Sequence, residues 1–323
     1  MEAIDDTSAA AAIFTTSFLG ICVTIYAMYI VVQRKLHKNP FGILCLAHEA
    51  PDFVILAIFA LFSAPVTYLQ LSGPTFDLIS KTFGHLTYFS WNIIVYSHFI
   101  IAVNRFTAIY FPLICRRFFT VKTTVLSVGV LVLLAFLQSI PLFFDSCYLF
   151  YITNLYLWSF SPNSCGSTLQ TKDMTVGMSI MTLTMTINMC TFWKIRSTMK
   201  VNFSPSWTSL NPRVLGHFVE PHKQRPKQAK AGIPALHAGK TQPEIPKISN
   251  FQALVQATIY VAKKLCFYFF SRLVSGKWPK FFITFYAWVL YHLLDGVILI
   301  AYNYKKVAQG EVSLGTLENL VNL

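Results

Sequence analysis

The chain has 323 residues, of which 54% are hydrophobic and only 12% are charged. That charged fraction is about half the usual share in soluble domains, which excludes a soluble catalytic domain of this length. The net charge of +13 does not indicate nucleic-acid binding, because the lysines and arginines fall mainly in particular gaps between apolar blocks.

Seven apolar blocks are long enough to cross the ~30 Å hydrocarbon core of a bilayer as helices. They predict an all-α membrane fold, a seven-helix bundle, with spans at about 9–32, 42–69, 82–108, 123–144, 174–193, 248–270 and 281–302. Acidic residues precede the first span and basic residues follow it, the reverse of a cleaved signal peptide. We therefore assign residues 1–306 to a membrane domain and residues 307–323 to a short cytosolic tail.

The lysines and arginines predict the orientation of the bundle. Of the 26, 19 fall in loops 1, 3 and 5 and in the tail, and five fall in the other loops. Cytosolic loops carry such an excess, so the N-terminus is expected outside and the C-terminus in the cytosol. The remaining two, Lys263 and Lys264, lie inside span 6, where a lysine at mid-bilayer costs about 2.5–3.5 kcal/mol. They are expected either to snorkel or to face the bundle interior, and the cytosolic C-terminus depends on this span.

The segment 194–247 differs from the other loops. It contains seven of the 15 prolines and ten of the basic residues, and it lacks helical periodicity. This composition predicts a flexible cytosolic linker. Two interpretations remain open, a loop that binds a partner and a translated intron in the gene model.

The string IAVNRFTAIYFPL at the end of span 3 contains Asn104, Arg105 and Pro112. An arginine at a cytosolic helix end can simply anchor the helix at the interface. In the functional interpretation, Arg105 lies at a bundle mouth that opens in an active state and there hydrogen-bonds the inserted helix of a cytosolic partner.

Three motifs carry a resemblance to a known family. NRFTAIYFP is similar to the Asp-Arg-Tyr region of rhodopsin-like receptors and more closely resembles the Asn-Arg-Phe pattern of nematode serpentine chemoreceptors. PFGILCLAHEA (40–50) and WVLYHLLDGVILIAYN (288–303) resemble the class X serpentine receptors, Srx, of the Srg superfamily. The resemblance implies a G-protein-coupled chemoreceptor of sensory neurons. Because Asn104 replaces the acid, any lock on Arg105 must use another acceptor.

Polar residues inside membrane spans are candidates for ligand binding or switching. This set comprises Glu49, Asp52, His98, His292, Asp295 and Asn303, with Trp288 as a candidate pocket residue. His292 and Asp295 share a helix face, and Asp295 could pair with a buried lysine or bind sodium. The competing interpretations are structural hydrogen bonds between helices for the polar residues and packing or interfacial anchoring for Trp288.

Cys147 and Cys165 both fall in an outer loop, an oxidising setting that predicts a disulfide, with two free thiols as the alternative. No Cys-x-x-Cys or His-x-x-x-His spacing indicates a metal site, and no cofactor is expected. The sequence also lacks a P-loop, a Gly-x-Gly-x-x-Gly and a Gly-x-Ser-x-Gly motif, so we expect no enzyme.

The leading hypothesis is a chemoreceptor in the plasma membrane, in sensory cilia, that binds an external small molecule and activates a heterotrimeric G protein. Its partners are therefore the ligand, the G protein and the lipid bilayer. A small multi-pass transporter or channel is the alternative from another class, with Glu49, Asp52 and Asp295 as an ion path, although no internal repeat is seen. A non-signalling product of a decayed receptor gene is the third interpretation.

Overall fold

The computed structural model describes residues 2–202 and 245–301, and within them the chain folds as a seven-helix membrane bundle with one short extra helix and one β-hairpin. The elements are α1 (Glu2–Gln33), α2 (Pro40–Leu69), α3 (Pro74–Tyr110), the short α4 (Pro112–Phe118), α5 (Val121–Ser139), β1 (Leu149–Ile152), β2 (Leu157–Phe160), α6 (Ser164–Asn202), α7 (245–273) and α8 (Lys277–Ala301). Each predicted span overlaps one long helix, and the expected bundle is confirmed. The hairpin was not predicted.

Local signals explain where two of the helices begin. Asn39 precedes α2, and its side chain accepts a hydrogen bond of 2.8 Å from the backbone N–H of Gly42. Thr120 and Thr123 form a reciprocal capping box at the start of α5. Both caps satisfy backbone N–H groups that lack partners within the first helical turn.

The bundle exposes many large apolar side chains, as a bilayer requires, and buries two lysines and several other polar side chains beside a hydrophobic core. Within the described residues, six helices are long and apolar enough to span a membrane, and α7 is not among them. Helix α5 exposes a row of large apolar side chains, among them Val125, Leu126, Leu133 and Leu137. Lys263 and Lys264 on α7 are buried instead, so of the two expectations for them the one that holds is that they face the interior.

A disulfide holds the hairpin over one end of the bundle. Cys147, just before β1, is bonded to Cys165 at the start of α6, with the Cα atoms 5.5 Å apart. The strands pair antiparallel, with Leu149 opposite Phe160. A Cβ on Gly84 of α3 would overlap the carbonyl oxygen of Leu149, so the strand backbone lies directly on the helix at this glycine.

Tyr151 fixes the other side of the hairpin. Its backbone N–H donates to Ser80 of α3 over 2.8 Å, and its hydroxyl lies 2.7 Å from Thr67 Oγ1 of α2. Burial raises the pKa of Tyr151, so the phenol remains neutral and able to donate. The hairpin is therefore a packed part of the bundle.

The two ends of the bundle carry different elements. At the hairpin end, Asp6 near the start of α1 lies 3.2 Å from Lys277 at the start of α8. The opposite end, which we call the Arg105 end, contains the turns at 34–39 and 111–120. Seven alternating helices thus place the first residues of α1 and the last residues of α8 at opposite ends.

Candidate functional site

Polar side chains from three helices meet in the middle of the bundle. We call this group the central cluster; it comprises His48 and Asp52 of α2, His98 of α3, and His292 and Asp295 of α8. All five residues are buried. Burying an imidazole or a carboxylate is costly unless polar groups surround it, so these five side chains depend on one another.

The pairing crosses from helix to helix. His292 Nδ1 lies 2.5 Å from Asp52 Oδ1, which joins α8 to α2. Asp295 Oδ2 lies 3.4 Å from His48 Nε2 and 3.8 Å from His98 Nε2, so this one carboxylate faces both α2 and α3. Gln256 of α7 donates to the other oxygen of Asp295 over 3.0 Å. Four helices therefore meet at Asp295.

A second group lies nearer the hairpin, around what we call the hairpin cavity. Its lining is mostly aromatic and includes two lysines and one aspartate: Tyr88, Trp91, Leu149, Trp158, Phe160, Asp173, Lys263, Lys264, Phe267, Tyr268 and Trp288. The free space is about 30 Å³, which is room for about one water molecule. Any larger occupant must move side chains.

Lys263 lies against aromatic faces in this cavity. Its Nζ is 3.2 Å from the ring centre of Trp91, 4.6 Å from that of Trp288 and 5.4 Å from that of Tyr291. Among the described side chains, no carboxylate lies within 4.0 Å of this nitrogen. Cation–π contacts with desolvated rings are worth about 2 kcal/mol, so they offset only part of the cost of burying the charge.

Lys264, the neighbouring residue, has an acidic partner. Its Nζ lies 2.6 Å from Asp173 Oδ2 of α6, and the Tyr268 hydroxyl donates to the same oxygen. Both charged side chains are buried. The cavity wall thus carries two lysines and one carboxylate, and within the described residues only Lys264 is paired with that carboxylate.

At the Arg105 end, Asn104 and Arg105 lie on α3 and are buried, whereas Pro112 begins α4 and is exposed. The Arg105 guanidinium lies over the Phe41 ring, 5.2 Å from its centre. Arg105 also lines a narrow cavity that reaches the central cluster, together with Cys45, His48, Glu49, His98, Ile101, Gln256 and Leu299. Arg105 and two histidines of the central cluster therefore line the same small cavity.

The sequence places this bundle in a known family. The family model of the serpentine type 7TM GPCR chemoreceptor Srx matches residues 14–211 and 247–303, which is most of the chain. The chain belongs to the Srx family. This is a family of chemoreceptors.

A curated relative agrees with the family match. The Srx chain is 24% identical over 311 residues to serpentine receptor class X 45 of Caenorhabditis elegans, an alignment that covers 92% of this chain and 79% of the relative. Residues 212–246, most of the proline-rich segment, lie outside the family match. The structure does not describe 203–244, so both interpretations of that segment stand as stated.

The structure brings most of the predicted site residues of this Srx receptor into the groups described above. Asp52, His98, His292 and Asp295 form the central cluster with His48; Glu49 lies beside it, and Trp288 lines the hairpin cavity. Asp295 faces histidines and Gln256, and no described lysine lies within ion-pair distance of it. Asn303 lies outside the described residues.

Sequence reasoning missed two contributors and the partners of two others. His48 was not selected, although it lies one helical turn before Asp52 on the same face of α2. Asp173 lies one residue before the predicted span 174–193 and was not selected. Lys263 and Lys264 were identified as atypical, but their partners on α3, α6 and α8 lie far away in sequence.

Proposed function

We propose that this Srx receptor binds a small organic acid at the hairpin cavity and activates a heterotrimeric G protein at the Arg105 end. In this proposal residues 1–306 form the receptor domain, 307–323 form a cytosolic tail, and the protein lies in the plasma membrane of sensory cilia. The hairpin end faces outside, because 19 of the 26 basic residues fall in the loops and tail assigned to the opposite side.

The observation that carries the proposal is Lys263, a buried lysine that lines the cavity with no described carboxylate in ion-pair distance. A ligand carboxylate would supply the missing counter-charge in a site of low dielectric, where ion pairing is much stronger than in water. The rings of Trp158 and Trp288 would hold the apolar part of such a ligand.

The small size of the cavity supports a receptor in which binding changes the packing. With about 30 Å³ free, the described packing has no room for an organic acid. The ligand must therefore bind better to a packing in which the hairpin or the aromatic rings have moved, and such a difference in affinity shifts the population of states. The central cluster lies between this cavity and Arg105. Because four helices meet at this cluster, a change in packing at the cavity would shift the helices there.

Nucleotide exchange on candidate G proteins tests the ligand class. The panel pairs straight-chain and aromatic carboxylic acids with their methyl esters, which keep the apolar part and lack the charge. Acids should activate and esters should not, and Lys263→Met should lower the apparent affinity for acids by about 10–100-fold, the equivalent of about 1.5–3 kcal/mol. Lys81→Met is the matched control, because Lys81 lies over the Tyr148 ring of the hairpin region and does not line the cavity.

Arg105 tests the coupling end separately. Arg105→Ala should abolish exchange while surface expression is retained. Arg105→Lys keeps a cation that can anchor the helix but loses the planar fork that hydrogen-bonds a partner's backbone. Full exchange with Arg105→Lys and none with Arg105→Ala would indicate an anchoring role, and normal exchange with Arg105→Ala would reject the coupling assignment.

The buried acids also motivate the channel or transporter alternative. Asp52 and Asp295 lie in the centre of the bundle, and Glu49 lines the cavity that continues toward Arg105. Ion flux through receptor reconstituted in liposomes without any G protein would support this alternative. We expect none, because Asp52 is hydrogen-bonded to His292 and Asp295 to Gln256, each on a neighbouring helix.

A further inference from the structure

We propose that His48, His98 and Asp295 bind a divalent transition-metal ion of the zinc type, which joins α2, α3 and α8 at the centre of the bundle. One ligand atom from each of the three residues lies within 4.8 Å of the other two. The three residues come from distant parts of the sequence, so no motif of closely spaced ligands indicates the site.

The separations between the donor atoms suit zinc. Zinc bonds to histidine nitrogen and carboxylate oxygen are about 2.0–2.2 Å long, so neighbouring ligands of a tetrahedral ion lie about 3.3–3.5 Å apart. Asp295 Oδ2 is 3.4 Å from His48 Nε2 and 3.8 Å from His98 Nε2. The three ligand atoms lie within 4.8 Å of one another, so shifts of up to about 1 Å would complete the coordination.

The hydrogen bonds around His48 determine which of its nitrogens carries the proton. Ser97 donates its hydroxyl proton to the carbonyl oxygen of Ile94 over 2.8 Å. The same hydroxyl lies 2.7 Å from His48 Nδ1, so it must accept from an Nδ1–H group there. In the neutral imidazole, Nε2 is then left with a lone pair directed toward Asp295. Fixing the tautomer in this way is what partners of metal-binding histidines do.

Two acceptors consequently face each other without a proton between them. His48 Nε2 and Asp295 Oδ2 are both buried and make no hydrogen bond with described groups, and Asp52 Oδ2, 3.6 Å from His48 Nε2, is in the same condition. Leaving a buried acceptor unsatisfied costs about 1–3 kcal/mol. A cation between these atoms would satisfy all of them, and Asp52 would balance the second charge of the ion.

The donor chemistry selects the class of ion. Two imidazole nitrogens and a carboxylate are typical ligands of zinc, whereas calcium, magnesium and sodium prefer oxygen donors throughout. Ligation by His98 Nε2 would replace its present 2.8 Å hydrogen bond with the Tyr291 hydroxyl. The fourth position is then open to that hydroxyl, to Asp52 or to water.

The position of the ion gives it a regulatory effect. It would hold three helices in the packing in which Arg105 is buried, and the narrow cavity lined by His48 and His98 leads to Arg105. Zinc should therefore lower the basal G-protein coupling of a functional receptor. Metal binding itself depends on neither ligand nor G protein, so it can be tested even if the proposed function fails.

The experiment uses the full chain, purified and reconstituted in nanodiscs after chelation. Titration with Co²⁺ should produce the visible absorption bands of a tetrahedral site, and zinc should displace the cobalt at one ion per receptor. His48→Gln, His98→Gln and Asp295→Asn should each weaken zinc binding by more than about 100-fold, because even the loss of an outer-shell partner typically costs 10–100-fold. His85→Gln is the matched control, since this half-buried histidine packs against Phe143 away from the cluster.

Folding of each variant is verified by its elution as a single monodisperse species and by its helical circular dichroism. His48→Gln and His98→Gln each remove one proposed ligand, so either variant that folds suffices to test the site. The proposal is overturned if the wild-type receptor shows no cobalt bands, if it binds only sodium, or if the folded His48→Gln or His98→Gln receptor retains wild-type affinity for zinc. Equal weakening by His85→Gln would also overturn it.

Discussion

Replacing Asp173 by asparagine keeps the shape of the side chain and removes the anion that faces Lys264. In the structure, Lys264 Nζ and Asp173 Oδ2 are 2.6 Å apart, and only 3% and 8% of the respective side-chain surfaces are exposed. Tyr268 donates to the same oxygen. The substitution therefore leaves the buried Lys264 cation without its ion-pair partner, next to a second buried lysine, Lys263.

The size of the effect follows from this burial. Removing one member of a buried ion pair typically costs about 3–5 kcal/mol, because the other charge stays in a low-dielectric environment uncompensated. At about 2–4 °C per kcal/mol, the melting temperature of the Asp173→Asn receptor should fall by about 10 °C. Replacing both partners, as in Asp173→Asn with Lys264→Met, removes the uncompensated charge and should recover most of that loss.

The assay is thermal unfolding in detergent, followed by the size-exclusion profile after heating. Asp77→Asn is the matched control, since Asp77 is an exposed aspartate in the first turn of α3 and should change stability by less than about 1 kcal/mol. A melting temperature within about 2 °C of wild type for Asp173→Asn would refute the reasoning. So would a double variant whose loss equals the sum of the two single losses.

Two further predictions concern the hairpin. Cys147→Ser with Cys165→Ser opens a loop of 18 residues and should cost about 3 kcal/mol in thermal unfolding, whereas replacing the exposed free Cys22 should not; an unchanged melting temperature would show that packing alone holds the hairpin. Gly84→Val should cost about 1–3 kcal/mol and weaken ligand responses, because its Cβ overlaps the Leu149 carbonyl and must push the hairpin off α3; normal stability and responses would contradict that contact.

Several features of the fold could be predicted from the chain alone. Blocks of about 20 apolar residues indicate membrane helices, because a helix of that length satisfies its own backbone and matches the bilayer. The β-hairpin could not be predicted this way. Its strands have four residues each and pack on α3 through Gly84 and Ser80, contacts that leave no periodic pattern in the sequence.

The sequence identified individual candidate residues but could not show which of them lie together in a site. A charged or histidine side chain inside an apolar block is costly, so Asp52, His98 and Asp295 could be identified singly. Which of them touch depends on how the helices are rotated and packed. Lys263 illustrates the difference, since the sequence shows only a lysine inside an apolar span, whereas in the structure it lies on the rings of Trp91 and Trp288.

The sequence by itself determined the class of protein, the number of helices and the distribution of charge between the loops, because these follow from local hydrophobicity and composition. Only the tertiary structure decided that Lys263 and Lys264 face inward, that Lys264 alone of the two is paired with Asp173, and that Asp295 faces two histidines from other helices. The physical reason is that helix packing joins residues far apart in sequence. Lys264 and Asp173, for example, are 91 positions apart, and no local pattern specifies which helix faces will meet.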